Sequence, residues 1–313
     1  MKPIVTLTLN PAIDGACEAE AVRPTHKVRT RGERYTPGGG GVNVARVIAE
    51  LGGPALPVYL AGGATGDVLD ELMAELREGR GLDVRRVDIA GHTRISLAVM
   101  ERSTGLEYRF IPEGPEVTPA EWLACLDLID GLDHDWLVVS GSLPRGLPGD
   151  AFVTLTRRAA DRGVRVALDS SGPAFRATLD AGGLALIKPS IGEFRALTGL
   201  ALEEPGDAAE AAREIVESGR AEIVAVTLGR DGAVLASREA TLVRPAPEVA
   251  TQSATGAGDS FVGGMVLALA EGRPVVQAFL LGMAAGAATA MAPGTDLCRR
   301  ADVERLHSGL SQG

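Results

Sequence analysis

The stretch Thr255-Gly256-Ala257-Gly258-Asp259-Ser260-Phe261 runs directly into a helical pattern that extends from Val262 to Ala270. Glycines that open a helix leave backbone N–H groups unpaired and unobstructed, so the segment predicts a binding site for the charge on a transferred phosphoryl group. Asp259 falls in the predicted first turn and would point into that site. Acidic residues also favour first turns through the helix dipole alone, and the motif by itself leaves both interpretations open.

A second glycine-rich stretch, Pro37-Gly38-Gly39-Gly40-Gly41-Val42-Asn43, also leads into an amphipathic helix, predicted over 42–51. Its glycines let the backbone approach a ligand closely, and the Asn43 amide offers both a donor and an acceptor to hydroxyl groups. A flexible turn before a helix would show the same pattern. Neither cluster matches the P-loop or dinucleotide fingerprints, which removes the main sequence support for a dehydrogenase.

Short apolar runs alternate with helical patterns in most of the remaining chain. Strands are predicted at 4–9, 136–139, 164–168, 184–187 and 223–228, and helices at 67–77, 148–162 and 207–218. Apolar strands between helices imply a parallel sheet covered on both faces, whose ligands bind at the carboxyl ends of the strands. Three such ends carry polar or glycine-bearing loops, at 140–144, 188–193 and 227–232, and together they indicate a nucleotide cleft.

Two polar segments have a different character. Residues 18–36 are mostly polar and charged, and polar and apolar residues alternate in part of this segment. In residues 93–110 every second position is apolar, with a turn at 103–105. Alternation with period two is typical of half-buried strands. These segments predict a small sheet with little core of its own.

The composition limits the class of protein. The chain has 313 residues, 45% hydrophobic and 23% charged, and it shows no linker or repeat, so a single architecture over 1–313 is expected. A formal net charge of −10 argues against a nucleic-acid-binding face. The widely separated cysteines, Cys17, Cys125 and Cys298, fit a reducing compartment, and the cytoplasm is the expected location.

No membrane association is expected from the sequence. The N-terminus lacks the features of a signal peptide. The segment 274–295 is uncharged and long enough to span a bilayer, but alanine, glycine and threonine dilute its hydrophobicity, so it predicts a buried helix. The four histidines show no metal-ligand spacing and no nucleophile partner, which leaves zinc chemistry and hydrolase triads without support.

Lysine is rare in this chain. The chain contains three lysines, Lys2, Lys27 and Lys188, and 28 arginines. Codon bias is the simplest explanation of this imbalance. Under such a bias, a retained lysine can mark a place that needs a compact ammonium group. Lys27 and Lys188 are therefore candidate ligand-binding residues.

The paired glycine signatures near residues 40 and 258 make the whole chain resemble the PfkB family of ribokinase-like sugar kinases. Within that family the motifs are most similar to those of the minor bacterial 6-phosphofructokinases, in segments 6–9, 37–41, 61–66, 140–144, 169–172 and 294–298. The resemblance implies an α/β fold, a Rossmann-like three-layer sandwich with a small β lid from about 15–36 and 92–111. It also implies a homodimer formed through the lid.

The resemblance further implies positions for both substrates. ATP would lie along Lys188, Ser190, Thr227, Gly229 and Gly232, with its γ-phosphate at Gly256, Ala257 and Gly258. The sugar would be held by Asp14, Gly38, Gly39, Gly40, Gly41 and Asn43, and its 6-phosphate by Lys27 and Arg94, with Ser142 nearby. Asp259 would take the proton from the C1 hydroxyl.

Cation sites are implied in the same way. Magnesium would bridge the ATP phosphates, with Glu193 near its water shell, although Ser190 stands where the family commonly has asparagine. A monovalent cation, potassium, would be held by Ser253, Thr255 and the segment carrying Ala292, Gly294 and Asp296.

The implied activity is ATP-dependent phosphorylation of fructose 6-phosphate to fructose 1,6-bisphosphate. The alternatives are tagatose-6-phosphate kinase and 1-phosphofructokinase, which usually carry a lysine where this chain has Gly40. A sugar-phosphate sensor without catalysis is a third hypothesis, which the departure at Ser190 suggests.

Overall fold

The computed structural model describes residues 1–80 and 82–312. The strands are Ile4–Thr8 (β1), Ala12–Ala19 (β2), Thr30–Gly38 (β3), Ala55–Ala61 (β4), Arg85–Asp88 (β5), Arg94–Glu101 (β6), Glu107–Phe110 (β7), Trp136–Ser140 (β8), Arg165–Asp169 (β9), Leu184–Ile187 (β10), Ala221–Thr227 (β11), Ala233–Ser237 (β12) and Thr241–Arg244 (β13). The helices are Gly40–Glu50 (α1), Gly63–Arg80 (α2), Pro119–Asp130 (α3), Ala151–Asp161 (α4), Gly172–Ala181 (α5), Ile191–Thr198 (α6), Pro205–Glu217 (α7), Ala257–Ala270 (α8), Val275–Ala290 (α9) and Arg300–Leu310 (α10).

The large sheet has the strand order β13-β12-β11-β10-β9-β8-β1-β4-β5. Pairing is parallel from β5 through β11, and β12 and β13 add an antiparallel edge. Strands β1, β4, β8 and β10 are buried at every position, as expected for a sheet with helices on both faces. The carboxyl ends of β1, β8, β9, β10 and β11 therefore meet along one edge.

Two hydrophobic cores lie on opposite faces of this sheet and make the molecule a three-layer sandwich. One core contains side chains of α3 to α7, including the buried Phe152, Phe175 and Phe194. The other contains side chains of α1, α8, α9 and α10. The predicted fold class is confirmed.

Helices α8 and α9 pack against each other at glycines. A Cβ at Gly264 would lie 2.9 Å from the Leu281 carbonyl oxygen, and one at Gly282 would lie 2.8 Å from the Phe261 carbonyl oxygen. The uncharged segment 274–295 is thus largely the buried helix α9, as predicted. Within the described ranges, no helix combines the length and the apolar character needed to cross a membrane.

Element boundaries differ from the predictions mainly at glycines. Helix α1 begins at Gly40 instead of residue 42, and α2 begins at Gly63 instead of residue 67. In both cases glycines form the first turn, where low helix propensity concealed them. Strands β4, β5, β12 and β13 were not predicted.

The small sheet has the order β3-β2-β6-β7, in which only the β2–β6 pair is parallel. Successive side chains point to opposite faces of a strand. One face carries Asp14, Ser96 and Arg109, and we call it the inner face. The opposite, outer face carries Ile95, Leu97 and Phe110.

Candidate active site

The first turn of α8 carries the catalytic candidate. Gly256 precedes the helix in the left-handed region, with φ of 76°, and no side chain caps the helix there. A Cβ at Gly258 would lie 3.2 Å from the Lys188 Nζ atom, so the missing side chain lets this ammonium group approach the helix start. Backbone N–H groups, a lysine and Asp259 thus meet at one point.

Two neutral donors hold the half-buried Asp259 carboxylate. Asn43 Nδ2 donates to Asp259 Oδ2 at 2.9 Å, and Ser140 Oγ donates to Asp259 Oδ1 at 3.3 Å. Burial, followed by the nearby Asp169 carboxylate, raises the pKa of Asp259 to about 7, although the Asn43 and Ser140 hydrogen bonds and Lys188 act in the opposite direction. A carboxylate with this pKa can accept a proton near neutral pH.

The glycine-rich segment brings Asn43 to Asp259. Arg46 NH1 donates to Asn43 Oδ1 at 3.2 Å, which turns the amide nitrogen of Asn43 toward the carboxylate. A Cβ at Gly41 would lie 2.5 Å from the Leu7 carbonyl oxygen, and one at Gly40 would collide with Ser140. These glycines let α1 begin directly against the ends of β1 and β8.

A buried ion pair lies behind Asp259. Lys188 Nζ lies 3.2 Å from Asp169 Oδ1, and the side chains are 5% and 14% exposed. Burial lowers the pKa of Lys188, but Asp169, Asp259 and Glu193 together outweigh that effect and leave its pKa raised. Burial raises the pKa of Asp169 despite the attraction of Lys188. We take Lys188 as cationic, because it faces three carboxylates.

Ser190 and Glu193 form a capping box at the start of α6. Glu193 Oε2 accepts from the Ser190 N–H at 2.7 Å and from the Ser190 hydroxyl at 2.8 Å, while Ser190 Oγ accepts from the Glu193 N–H at 3.3 Å. Ser190 also bridges to Thr227 at the end of β11. The structure therefore gives Ser190 a capping role and engages one Glu193 oxygen.

The loop after β11 continues the same edge of the sheet. Gly229 opens a short 3₁₀ turn, and Gly232 closes it with φ of 115°. A Cβ at Gly232 would lie 2.8 Å from the Ala246 backbone nitrogen, so this turn needs glycine. Lys188, Ser190, Thr227 and the two glycines thus follow the ends of β10 and β11.

Asp14 lies on the inner face of the small sheet. Burial raises its pKa, while the arginines Arg109, Arg94 and Arg46 act in the opposite direction, in that order. A Cβ at Gly38 would collide with the Asp14 carboxylate. A small cavity lies between this face and the loops of the large sheet, and it is lined by Asp14, Gly15, Ser96, Leu97, Ala98, Arg109, Ile111, Thr255 and Thr295.

Arg94 and Ser142 meet at a junction around Asn10. Arg94 donates to the Asn10 carbonyl at 2.8 Å and to the Pro112 carbonyl at 2.9 Å, and Asn10 Nδ2 donates to Ser142 Oγ at 3.2 Å. Lys27 lies elsewhere, exposed in the connection between β2 and β3 at the end of the hairpin remote from Gly38. In the part of the chain that the structure describes, it makes no hydrogen bond or ion pair.

The residues proposed for a monovalent cation lie in two adjacent loops. Thr255 N–H donates to Ser253 Oγ at 3.2 Å, and Ala292 N–H donates to the Thr289 carbonyl at 2.9 Å. The second loop also touches the small sheet: Thr295 Oγ1 lies 3.2 Å from Thr36 Oγ1, and Asp296 lies 4.0 Å from Arg34. Gly294 completes this loop with φ of 60°.

Several site residues carried no role in the sequence predictions. They are Asn10, Arg46, Arg109, Ser140 and Asp169. Ser140 and Asp169 end neighbouring strands and lie opposite each other in the register. The signal that marks them is their position at strand ends, which requires the strand order to interpret.

The comparisons with known proteins agree with this geometry. Residues 7–302 match the family model described as pfkB family carbohydrate kinase. ATP-dependent 6-phosphofructokinase isozyme 2 of Mycobacterium tuberculosis is 39% identical over 305 residues, 97% of this chain and 88% of that protein. The Escherichia coli protein of the same name is 38% identical over 313 residues, all of both chains. A Bacillus subtilis 1-phosphofructokinase is 30% identical over 288 residues, 92% of each.

Solved structures extend the similarity to three dimensions. Phosphofructokinase-2 from Escherichia coli in complex with potassium has a TM-score of 0.94 and 38% identity, and covers 99% of this chain and 100% of its own. The same enzyme with fructose-6-phosphate and in a tetrameric inhibited form has a TM-score of 0.93, at the same identity and coverage. With its family model, full-length relatives and fold in agreement, the chain belongs to the pfkB family of carbohydrate kinases.

Proposed function

We propose that the protein transfers the γ-phosphoryl group of ATP to the C1 hydroxyl of fructose 6-phosphate and releases fructose 1,6-bisphosphate and ADP, a step of glycolysis. The names of the full-length relatives support this reaction. The observation that carries the proposal is the Asp259 carboxylate, held by Asn43 and Ser140 in the first turn of a helix that opens with glycines.

In this proposal Asp259 accepts the proton of the C1 hydroxyl while that oxygen attacks the γ-phosphorus. The N–H groups of Gly256, Ala257 and Gly258 would receive the charge that moves with the phosphoryl group, and Lys188 lies beside Gly258. For this the Ala257 N–H would exchange its present acceptor, the Ala254 carbonyl at 3.3 Å, for the phosphoryl group. A general base acts in its charged form. Because the pKa of Asp259 is raised to about 7, we expect turnover to increase as the pH rises through that value.

The two substrates approach from opposite sides of Asp259. ATP follows the rim formed by Lys188, Ser190, Thr227, Gly229 and Gly232, and the sugar enters the cavity beside Asp14, Gly38, Gly39, Gly40, Gly41 and Asn43. Arg94 and Ser142 bind the 6-phosphate from their shared junction. Lys27 joins them only as a residue of a second copy, because its own hairpin carries it away from Gly38.

The site residues would hold two cations, magnesium and potassium. Magnesium usually keeps its waters and the phosphate oxygens of the nucleotide, with one or two carboxylates, and it would neutralise charge on the ATP phosphates. Glu193 would contact its water shell. Nowhere in residues 1–80 and 82–312 do three His, Cys, Asp or Glu side chains group as a metal site. For potassium, Ser253, Thr255 and the loop of Ala292, Gly294 and Asp296 supply oxygens.

We also propose a homodimer in the cytoplasm. The outer face of the small sheet exposes Tyr35, Ile95 and Phe110 at 53%, 45% and 55%, an apolar surface that a second copy would cover. The Escherichia coli relative forms a tetramer in its inhibited form. The buried Cys17, Cys125 and Cys298 are free thiols, which fits a reducing compartment.

A second candidate function is phosphorylation of tagatose 6-phosphate or fructose 1-phosphate. It is favoured by the 1-phosphofructokinase relative. The contact of Gly40 with Ser140 argues against it, because no longer side chain fits at position 40 and those enzymes usually carry a lysine there.

A coupled ADP-release assay over the three sugar phosphates tests the proposal. We expect the highest kcat/KM with fructose 6-phosphate, and we expect Asp259→Asn to lower kcat at least about 100-fold because the base is lost. The affinity for ATP, measured by calorimetry, should stay near native. Near-native turnover of Asp259→Asn would remove Asp259 as the base, and absence of ADP release with every sugar phosphate would favour the sensor hypothesis.

A further inference from the structure

Ser140 is the last residue of β8 and is only 3% exposed. It contacts three parts of the site at once. Its hydroxyl faces Asp259 on α8, its position is opposite Asp169 on β9, and it occupies the space that a side chain at Gly40 would need. The hydroxyl is one of the two donors that hold Asp259, and it is the one that also lies next to a second carboxylate.

The hydroxyl can donate only one hydrogen, and two carboxylates lie near it. It donates to Asp259 Oδ1 at 3.3 Å, and it lies directly opposite Asp169 in the pairing of β8 with β9. Burial leaves the pKa of Asp169 raised, and the Ser140 hydroxyl acts against that rise. Asp169 has a further partner in Lys188, and Asp259 Oδ2 has one in Asn43. Ser140 is therefore the donor that fixes the Oδ1 side of Asp259.

We propose that Ser140 is a positioning residue for Asp259, holding the carboxylate for proton transfer and turning its single hydrogen to Asp169 once Asp259 is neutral. The proposal rests on the proposed function, in which Asp259 is the base. The proton moves from the sugar hydroxyl to Asp259, and Ser140 only rotates about its Cβ–Oγ bond. The rotation follows from the preference of a donor for the acceptor that is still charged.

This arrangement has a measurable consequence. A hydrogen bond donated to a charged carboxylate favours the charged form, so Ser140 keeps the pKa of Asp259 lower than burial and Asp169 alone would set it. Asn43 on α1, Lys188 after β10 and Asp169 at the end of β9 also act on Asp259, and the substitution leaves all three present. The loss of activity should then be largest at low pH.

Ser140→Ala tests this through the pH profile of kcat/KM, with Ser170→Ala as the matched control. Ser170 is also buried, at 7%, but its hydroxyl donates to the Gly141 carbonyl and not to Asp259. We expect the midpoint of Ser140→Ala to move about one pH unit higher, with roughly tenfold less activity at pH 6.5 and recovery near pH 9. Ser170→Ala should keep the native midpoint, and Ser140→Thr should restore it.

A loss of equal size at every pH, or an unchanged midpoint, would overturn the proposal. A second measurement needs no sugar substrate: the ¹³C signal of the Asp259 carboxyl, assigned with Asp259→Asn, is titrated in the native protein and in Ser140→Ala. We expect the titration midpoint to rise in the variant. If the native protein phosphorylates no sugar phosphate, the proposed function fails, and the titration still decides whether Ser140 controls Asp259.

Discussion

Gly40 shows how one missing side chain shapes the site. Helix α1 starts at this residue, and the backbone there lies so close to Ser140 that a Cβ would come within 2.9 Å of the Ser140 carbonyl carbon. Neither partner can move freely, because Ser140 ends a buried strand of the large sheet. The distance between Asn43 and Asp259 depends on this contact.

We expect Gly40→Ala to lower kcat strongly, by about 100-fold, and to cost about 1–3 kcal/mol of unfolding free energy, the usual range for overpacking. Steady-state kinetics and urea denaturation measure the two effects. Gly206→Ala is the matched control, because nothing lies within 4 Å of its Cβ position and Gly206 is also near the start of a helix. Native kinetics for Gly40→Ala would show that the close contact is unimportant.

At the scale of single residues, the sequence predicted Asp259, Asn43 and Lys188, but not Ser140 and Asp169. Asp259 and Asn43 stand inside glycine clusters, and Lys188 is one of three lysines beside 28 arginines, so the sequence itself marks them. Ser140 and Asp169 begin the segments 140–144 and 169–172, but nothing in either segment pairs them, and they meet only because β8 and β9 are adjacent in the sheet. Arg46 was missed although it lies three residues after Asn43, because its role depends on how the amide is turned.

Helix α6 provides a test at the scale of one element. Its capping box joins Ser190 and Glu193, whereas the N-cap of α5, Ser171, makes no side-chain capping bond. The two serines therefore occupy equivalent positions with different contacts.

We expect Ser190→Ala to lower the unfolding free energy by about 1 kcal/mol, as the loss of a serine cap usually does, and Ser171→Ala to leave it nearly unchanged. Chemical denaturation of both variants measures the difference. Equal stability of the two variants would contradict the capping role of Ser190. The proposed contact with the nucleotide would then be its remaining role.

Many elements with strong patterns were predicted, but the missed strands include both the fully buried β4 and strands with weak patterns. The apolar strands β8 to β11 and helices α4, α7 and α9 follow from their patterns. The edge strand β13 is short and partly exposed, and β5 has only one buried position in four. The sequence pattern of either strand therefore cannot be distinguished from that of a loop. The fold class could be predicted because it depends on the apolar strands β8 to β11 and the helices between them.

The small sheet determines how whole molecules associate. Its inner face lines the cavity, and its outer face exposes apolar side chains that no element of the described chain covers fully. Phe110 lies at the end of the edge strand β7, where a charge would be solvated in a monomer but buried in a dimer.

We expect Phe110→Glu to dissociate the proposed dimer, because a carboxylate on an apolar interface loses its hydration. Sedimentation equilibrium should give twice the chain mass of 32.3 kDa for the native protein and a single chain mass for the variant. Leu123→Glu is the control, since Leu123 is 52% exposed on α3, outside the small sheet. A variant that still sediments as the native species would place the interface elsewhere.

The parallel pairing of β2 with β6 has a consequence for the order of assembly. The hairpin of β2 and β3 needs only residues 12–38, but its partner β6 follows after residues 39–93. Closing so long a segment costs conformational entropy, and the residues between the two strands form α1, β4, α2 and β5. Until β6 pairs with it, the hairpin therefore has its β2 edge unpaired in addition to its β3 edge, and an unpaired strand edge can pair with another chain.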